Sequence, residues 1–157
     1  MSSRIEIVNN YQHISIHKAA VENIILNFLS AEKLPAREIT IIFADDNFLR
    51  TLHRDYLNDN TFTDIITFNL SDDARVEGEI YISVERAKTH SAEFGVTLSE
   101  EIARLVIHGL LHLKGYDDQE KRAQQLMRQK EDFYLGKYAI HIREILNRTD
   151  ENEGEEQ

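Results

Sequence analysis

The feature that most constrains this chain is a pair of histidines, His108 and His112, set i and i+4 at the end of its clearest helix pattern. Thr97 and Glu100 have the spacing of a capping box, in which a hydroxyl satisfies one free backbone N–H and a carboxylate reaches back for another. Leu98, Ile102, Leu105, Val106, Leu110 and Leu113 then recur at helical spacing. Gly115 stands where a left-handed turn would end the helix, a conformation glycine adopts without steric penalty. Side chains at i and i+4 share one helix face, so two imidazoles here come close enough to hold the same cation.

Two ligands hold a metal ion poorly, and the third has to come from the chain beyond the helix. A reversal at Gly115 swings Asp118 back toward the histidines, which completes H-x-x-x-H-x-x-G-x-x-D. Three protein ligands and one open position is the arrangement of a catalytic rather than a structural zinc. The spacing is that of the metzincin peptidases, but those carry a Glu general base directly after the first His. Here that residue is Gly109, which neither accepts nor donates a proton. Asp117 and Glu120 also have capping-box spacing, which would make Asp118 a first-turn carboxylate of the next helix. At the level of sequence both readings of Asp118 stand. With Asp118 as a ligand, two neutral imidazoles and one carboxylate leave a divalent ion net positive, suited to acidifying water or polarising a phosphoryl oxygen. Zinc is the first expectation, with manganese or nickel as alternatives.

A chain of 157 residues is most simply one domain, large enough to bury roughly two-thirds of its unfolded surface. The expected division is a folded domain over residues 1–149 and a disordered acidic tail over residues 150–157. That tail supplies, through Asp150, Glu151, Glu153, Glu155 and Glu156, about half of the formal net charge of −10. Such acidity argues against indiscriminate nucleic-acid binding, so RNA would need a local basic patch. Arg50, Arg54, Arg86, Lys88, Arg104, Lys114, Lys121 and Arg122 are the candidates, each weighed against a plain solvated face. The absence of cysteine removes thiolate ligands and disulfides and fits a cytoplasmic location. No apolar run approaches the ~20 residues of a membrane span, and no signal-peptide pattern opens the chain.

Alternation over Arg4–Val8, Ile39–Phe43, Ile66–Leu70 and Ile80–Val84 predicts four strands, the last two joined by a polar turn at 71–77. Helices are expected from His17 to about Glu32, from Asp45 or Asp46 through Tyr56, and through Ala87 and Ala92 to Gly95. The metal helix follows, then a charged helix with Ala123, Leu126 and Met127, a break at Gly136, and a last helix over Ile140–Leu146. The order β-α-β-α-β-β-α-α-α-α implies an α+β domain with a mixed four-stranded sheet packed by helices and a zincin-like metal helix. Asp64 and Glu79 are candidate proton acceptors near the metal, with capping or strand-end hydrogen bonding as the alternative. Tyr116 is read as a substrate or ligand holder, or as an aromatic plug beneath the turn. His53, on the short helix, is a candidate for RNA contact. His13 and His17, flanking the entry to the first helix, are expected at the surface or as capping residues, and His90 and His141 at the surface, none with a metal role.

The stretch His108-Gly-Leu-Leu-His112-Leu-Lys-Gly115-Tyr116-Asp117 resembles the signature of the YbeY family, single-domain metal-dependent endoribonucleases of bacterial ribosomal RNA maturation. Thr63-Asp64-Ile65-Ile66-Thr67-Phe68 resembles that family's Thr-Asp-Val-Leu-Ser-Phe segment, and Gly78-Glu79-Ile80 its Gly-Asp-Ile strand start. The matches fall in the family's order from about Ile39 to Asp118. The resemblance implies a single-strand-specific endoribonuclease of 16S rRNA processing and ribosome assembly. It implies as partners single-stranded RNA, the small ribosomal subunit and its assembly factors. Two positions depart from the family pattern: its third ligand is usually His where this chain has Asp118, and an Arg usually follows the upstream Tyr where this chain has Leu57 after Tyr56. The competing expectations are a non-catalytic, metal-stabilised ribosome assembly factor and a metal-dependent hydrolase of another class, such as a metallopeptidase.

Overall fold

The computed structural model describes residues 3–147, so the acidic tail expected over residues 150–157 lies outside the described residues. Ten elements follow one another: β1 (Arg4–Asn9), α1 (Lys18–Ala31), β2 (Ala36–Ala44), α2 (Asp46–Leu57), β3 (Ile65–Asn69), β4 (Val76–Ser83), α3 (Val84–Phe94), α4 (Leu98–Lys114), α5 (Lys121–Lys137) and α6 (Ala139–Arg143). The four strands form one mixed sheet in the order β1-β2-β4-β3. β1 and β4 run parallel to β2, while β3 pairs antiparallel with β4 as the outer strand of a hairpin. The architecture is the expected α+β arrangement. No helix among the described residues is long and apolar enough to cross a membrane.

Helix α4 organises the layers, touching β3 and β4 on one side and α1, α3, α5 and α6 around it. Its N-terminus is capped as the sequence suggests, with Thr97 Oγ1 accepting from Glu100 N at 3.1 Å. At its other end Gly115 adopts φ 115°, and the amides of Gly115 and Tyr116 return to the Leu111 carbonyl at 3.1 and 3.0 Å. Two glycines let the helix sit close against the sheet. A Cβ on Gly109 would lie 2.8 Å from Ile80 Cδ1, and one on Gly78 would lie 2.6 Å from Leu113 Cδ1, both inside van der Waals contact. Ile39, Ile41, Ile80 and Ile82 from the sheet meet Ile102, Val106, Leu110 and Leu113 from α4 in the main core.

Three sequence expectations are corrected. Helix α5 runs through Gly136 and ends at Lys137, because Tyr134, Leu135 and the capping Tyr138 are buried in the core and outweigh the ~1 kcal/mol helix penalty of one glycine. The last helix stops at Arg143; Ile145 sits in a buried bend with its amide on the Ile142 carbonyl at 3.1 Å, and buried Leu146 bridges to Ile16. Val84 opens α3 rather than closing β4, since the Ser83 hydroxyl caps the helix by accepting from Arg86 N at 3.2 Å.

Candidate metal centre

His108 and His112 stand side by side on a half-buried flank of α4 with ring centroids 4.6 Å apart. The turn at Gly115 brings Asp118 to them, its Oδ2 lying 3.3 Å from His108 Nε2 and 3.4 Å from His112 Nε2. The capping alternative for this acid does not hold: α5 starts at Lys121 with Glu120 at its N-cap, and Asp117, not Asp118, takes a backbone amide, from Gln119 at 2.8 Å.

Each ring is fixed from behind. His108 Nδ1 lies 2.7 Å from Glu131 Oε2, and His112 Nδ1 lies 3.0 Å from the Tyr116 carbonyl. A carboxylate and a carbonyl can only accept, so both Nδ1 atoms carry the hydrogen and donate it. In the neutral rings the Nε2 lone pairs then face one another across 3.0 Å, beside the Asp118 carboxylate. Burial works against charge on His108, but the hydrogen bond and charge of Glu131, with help from Asp118 and Asp64, hold its pKa above the ordinary value. Glu131 is itself buried and tied to Arg104 Nη1 at 2.8 Å. The three donor–donor edges are close to the ~3.3 Å spanned by ligands about 2.05 Å from a tetrahedral ion. Donor types and orientations therefore fit a single divalent metal.

Two clefts meet at this group. One, of about 390 Å³, is lined by Asp64, His90, Glu101, Arg104, His108 and Asp118 among others. The other, of about 690 Å³, runs past His53, Leu57 and the 63–67 segment to His108, His112 and Asp118.

The family model described as endoribonuclease YbeY matches residues 6–139. The chain belongs to the endoribonuclease YbeY family. It is 40% identical to the endoribonuclease YbeY of Karelsulcia muelleri over 68% of this chain and 76% of that protein. It is 41% identical to that of Flavobacterium psychrophilum over 70% and 79% of the two chains, and 34% identical to that of Chlorobium limicola over 79% and 86%. The solution structure of TM1509 from Thermotoga maritima, 22% identical, superposes with a TM-score of 0.57 over 86% of this chain and 91% of that one, which speaks to the fold.

The remaining sequence candidates divide clearly. Asp64 lines both clefts, whereas the Glu79 carboxylate accepts from the Tyr81 hydroxyl at 3.1 Å. Tyr116 packs against the core as a plug beneath the turn. His53 lines the second cleft, with Nδ1 3.2 Å from the Thr61 carbonyl. His90 departs from expectation, standing between the carboxylates of Asp64 and Glu101. Four of the eight basic candidates are matched locally: Arg54 by Asp55, Arg86 by Asp46, Arg104 by Glu131 and Asp132, and Lys114 by the Glu32 carbonyl. Sequence reasoning missed Glu131 and Glu101. Both were detectable as carboxylates set among apolar helix positions, Glu131 between Met127 and Tyr134 and Glu101 between Leu98 and Leu105.

Proposed function

We propose that this chain is a metal-dependent endoribonuclease that cuts single-stranded RNA, with one divalent ion, zinc by first preference, held by His108 Nε2, His112 Nε2 and an Asp118 carboxylate oxygen. The observation that carries the reading is that both Nδ1 atoms donate away from the cleft, to Glu131 and to the Tyr116 carbonyl, so that both Nε2 atoms converge on Asp118. Two imidazoles and one carboxylate with an open fourth position suit zinc, which when bound supplies Lewis acidity toward a water or a phosphoryl oxygen. Glu131 sets the tautomer and direction of His108, and the Tyr116 carbonyl does the same for His112. The two clefts meeting at the histidines offer a path for an unpaired strand on either side of the site. Small-subunit ribosomal RNA, the small ribosomal subunit and its assembly factors, in the cytoplasm, are the setting this activity implies within the family.

Peptide hydrolysis is disfavoured by position 109. It faces Ile80 at a distance that excludes even a methyl group, so no general base fits directly after His108. The test is elemental analysis joined to an RNA assay on protein purified without added metal. About one ion per chain is expected, absent from His112→Ala and reduced in Asp118→Ala. Cleavage of single-stranded RNA should stop with a chelator and fall at least about a hundredfold in His112→Ala, the scale for losing one charge-stabilising group. Histidine variants that are folded, identically purified and as active as the parent would overturn the enzyme reading in favour of a non-catalytic assembly factor.

A further inference from the structure

The cleft beside His108 holds a second cluster drawn from three separate elements. Asp64 precedes β3, His90 lies in α3, and Glu101 lies near the start of α4. His90 Nδ1 is 3.5 Å from Asp64 Oδ2 and 3.6 Å from Glu101 Oε2, and the three donor atoms all lie within 4.8 Å of one another. These separations are too long for good hydrogen bonds. They match donor–donor edges around a cation held at about 2.1 Å. Glu101 is only 5% exposed, and His90 Nδ1 at 3.6 Å is the cationic partner its carboxylate meets. A carboxylate held so deep without a closer partner is costly. Burial, and next the charge of Asp64, push its pKa up to about 7 although Arg104 and Arg128 pull the other way.

We infer that Asp64, His90 and Glu101 form a second divalent-cation site, separate from the histidine pair and suited by its two carboxylates and one imidazole to Mn²⁺. Carboxylate oxygens favour manganese or magnesium, and the imidazole tips the choice toward the transition metal. The site extends the reading of this cleft as a phosphodiester site, but its residues and its test are its own. Asp64, Glu101, Asp118 and Glu131 line the cleft against the guanidinium groups of Arg104 and Arg128. An RNA phosphate entering it meets more carboxylate than cation, and a divalent ion on the second cluster reverses that local balance. The rival arrangement is an imidazolium at His90 bridging the two carboxylates with no metal.

Electron paramagnetic resonance of free Mn²⁺ separates them. Protein carrying one equivalent of zinc is titrated with Mn²⁺, beside Asp64→Asn, Glu101→Gln and His112→Ala. The expected result is one further bound Mn²⁺, weakened at least about tenfold in Asp64→Asn and Glu101→Gln and retained in His112→Ala, since losing a direct ligand should cost at least what losing an outer-shell partner does. If Glu101→Gln does not fold, Asp64→Asn decides alone, its side chain being partly solvent-exposed. No Mn²⁺ bound beyond the zinc equivalent, or unchanged affinity in the carboxylate variants, overturns the proposal. Loss of all Mn²⁺ binding in folded His112→Ala overturns it as well, by assigning the ion to the histidine pair. His112→Ala that keeps its zinc but shows the expected Mn²⁺ pattern would instead sink the first site and leave this one standing.

Discussion

His108 and His112 are each fixed through Nδ1 by a short contact, 2.7 Å to Glu131 and 3.0 Å to the Tyr116 carbonyl, whereas His90 meets Asp64 and Glu101 only at 3.5 and 3.6 Å with its own Nδ1. The first pair has its tautomer chosen and its Nε2 atoms aimed before any ligand arrives, so binding there costs little reorganisation. The second cluster has no such short contact to its imidazole, whose Nδ1 stands between two carboxyl groups. The lesson is that neighbouring groups of similar composition are distinguished by the atoms behind the ligating ones. One group has both of its imidazoles oriented by short contacts behind them, and the other has no such short contact to its imidazole.

The sharpest way to break that contrast is to vary pH in chelator-treated protein. Glu101 has a folded-state pKa of about 7 against an ordinary value of 4.5, so across that interval the folded state keeps a proton that the unfolded chain gives up. Its contribution is therefore fully present below about 4.5 and is lost as pH rises through about 7. At 1.36 kcal/mol per unit the loss is at most ~3 kcal/mol. Urea denaturation should show Glu101→Gln escaping most of this decline between about pH 5 and pH 8. Added Mn²⁺ should restore the parent at the upper end. Parallel stability curves for parent and variant would show that the carboxylate is already compensated, and the two clusters would then differ less than the contacts imply.

A smaller effect is expected behind the first histidine. Glu131→Gln leaves an oxygen for His108 Nδ1 but removes the charge that orients it, and Arg104 keeps Asp132 at 2.7 Å as a partner. Zinc affinity should fall tenfold to a hundredfold by competition with a chromophoric chelator, the usual range for such a partner. Mn²⁺ binding at Asp64, His90 and Glu101 should change much less. Equal losses at both would mean that the clusters act as one unit.

This contrast also explains what the sequence made legible. The histidine triad is local: one helical turn separates its imidazoles, and a single glycine at φ 115° returns the carboxylate. The cap at Thr97, the helix pattern of α4 and the β3–β4 hairpin are local in the same sense, and all could be read from residue spacing. The second cluster depends on α3 lying against α4 and on the segment before β3 reaching both, which no spacing encodes. Glu131 is separated from His108 by 23 positions and arrives only when α5 folds back along α4. The place of β4 between β2 and β3 is likewise a long-range result, fixed by pairing that buries Ile80 and Ile82 under α4. The break expected at Gly136 failed because burial of the flanking side chains outweighs a local propensity.

The smallest effect, and the one confined to the side of the histidine triad away from His90, concerns Leu57. It is the last residue of α2, 52% exposed, and lines the cleft shared with His108, His112 and Asp118 but not the cleft of the second cluster. The family pattern usually has Arg there, and a guanidinium gives a phosphate two parallel charge-assisted hydrogen bonds that an alkyl group cannot offer. Leu57→Arg should raise the rate of single-stranded RNA cleavage severalfold, up to about tenfold, since one such contact contributes about 1.5 kcal/mol when exposed to solvent. Leu57→Ala should leave the rate almost unchanged, because no charge is lost. The gain should shrink as salt screens the new contact, while Mn²⁺ affinity at Asp64, His90 and Glu101 stays that of the parent. An unchanged rate in folded Leu57→Arg would place the RNA path on the other side of the histidines, along Arg104 and Arg128, where the second cluster would lie directly beside the scissile phosphate.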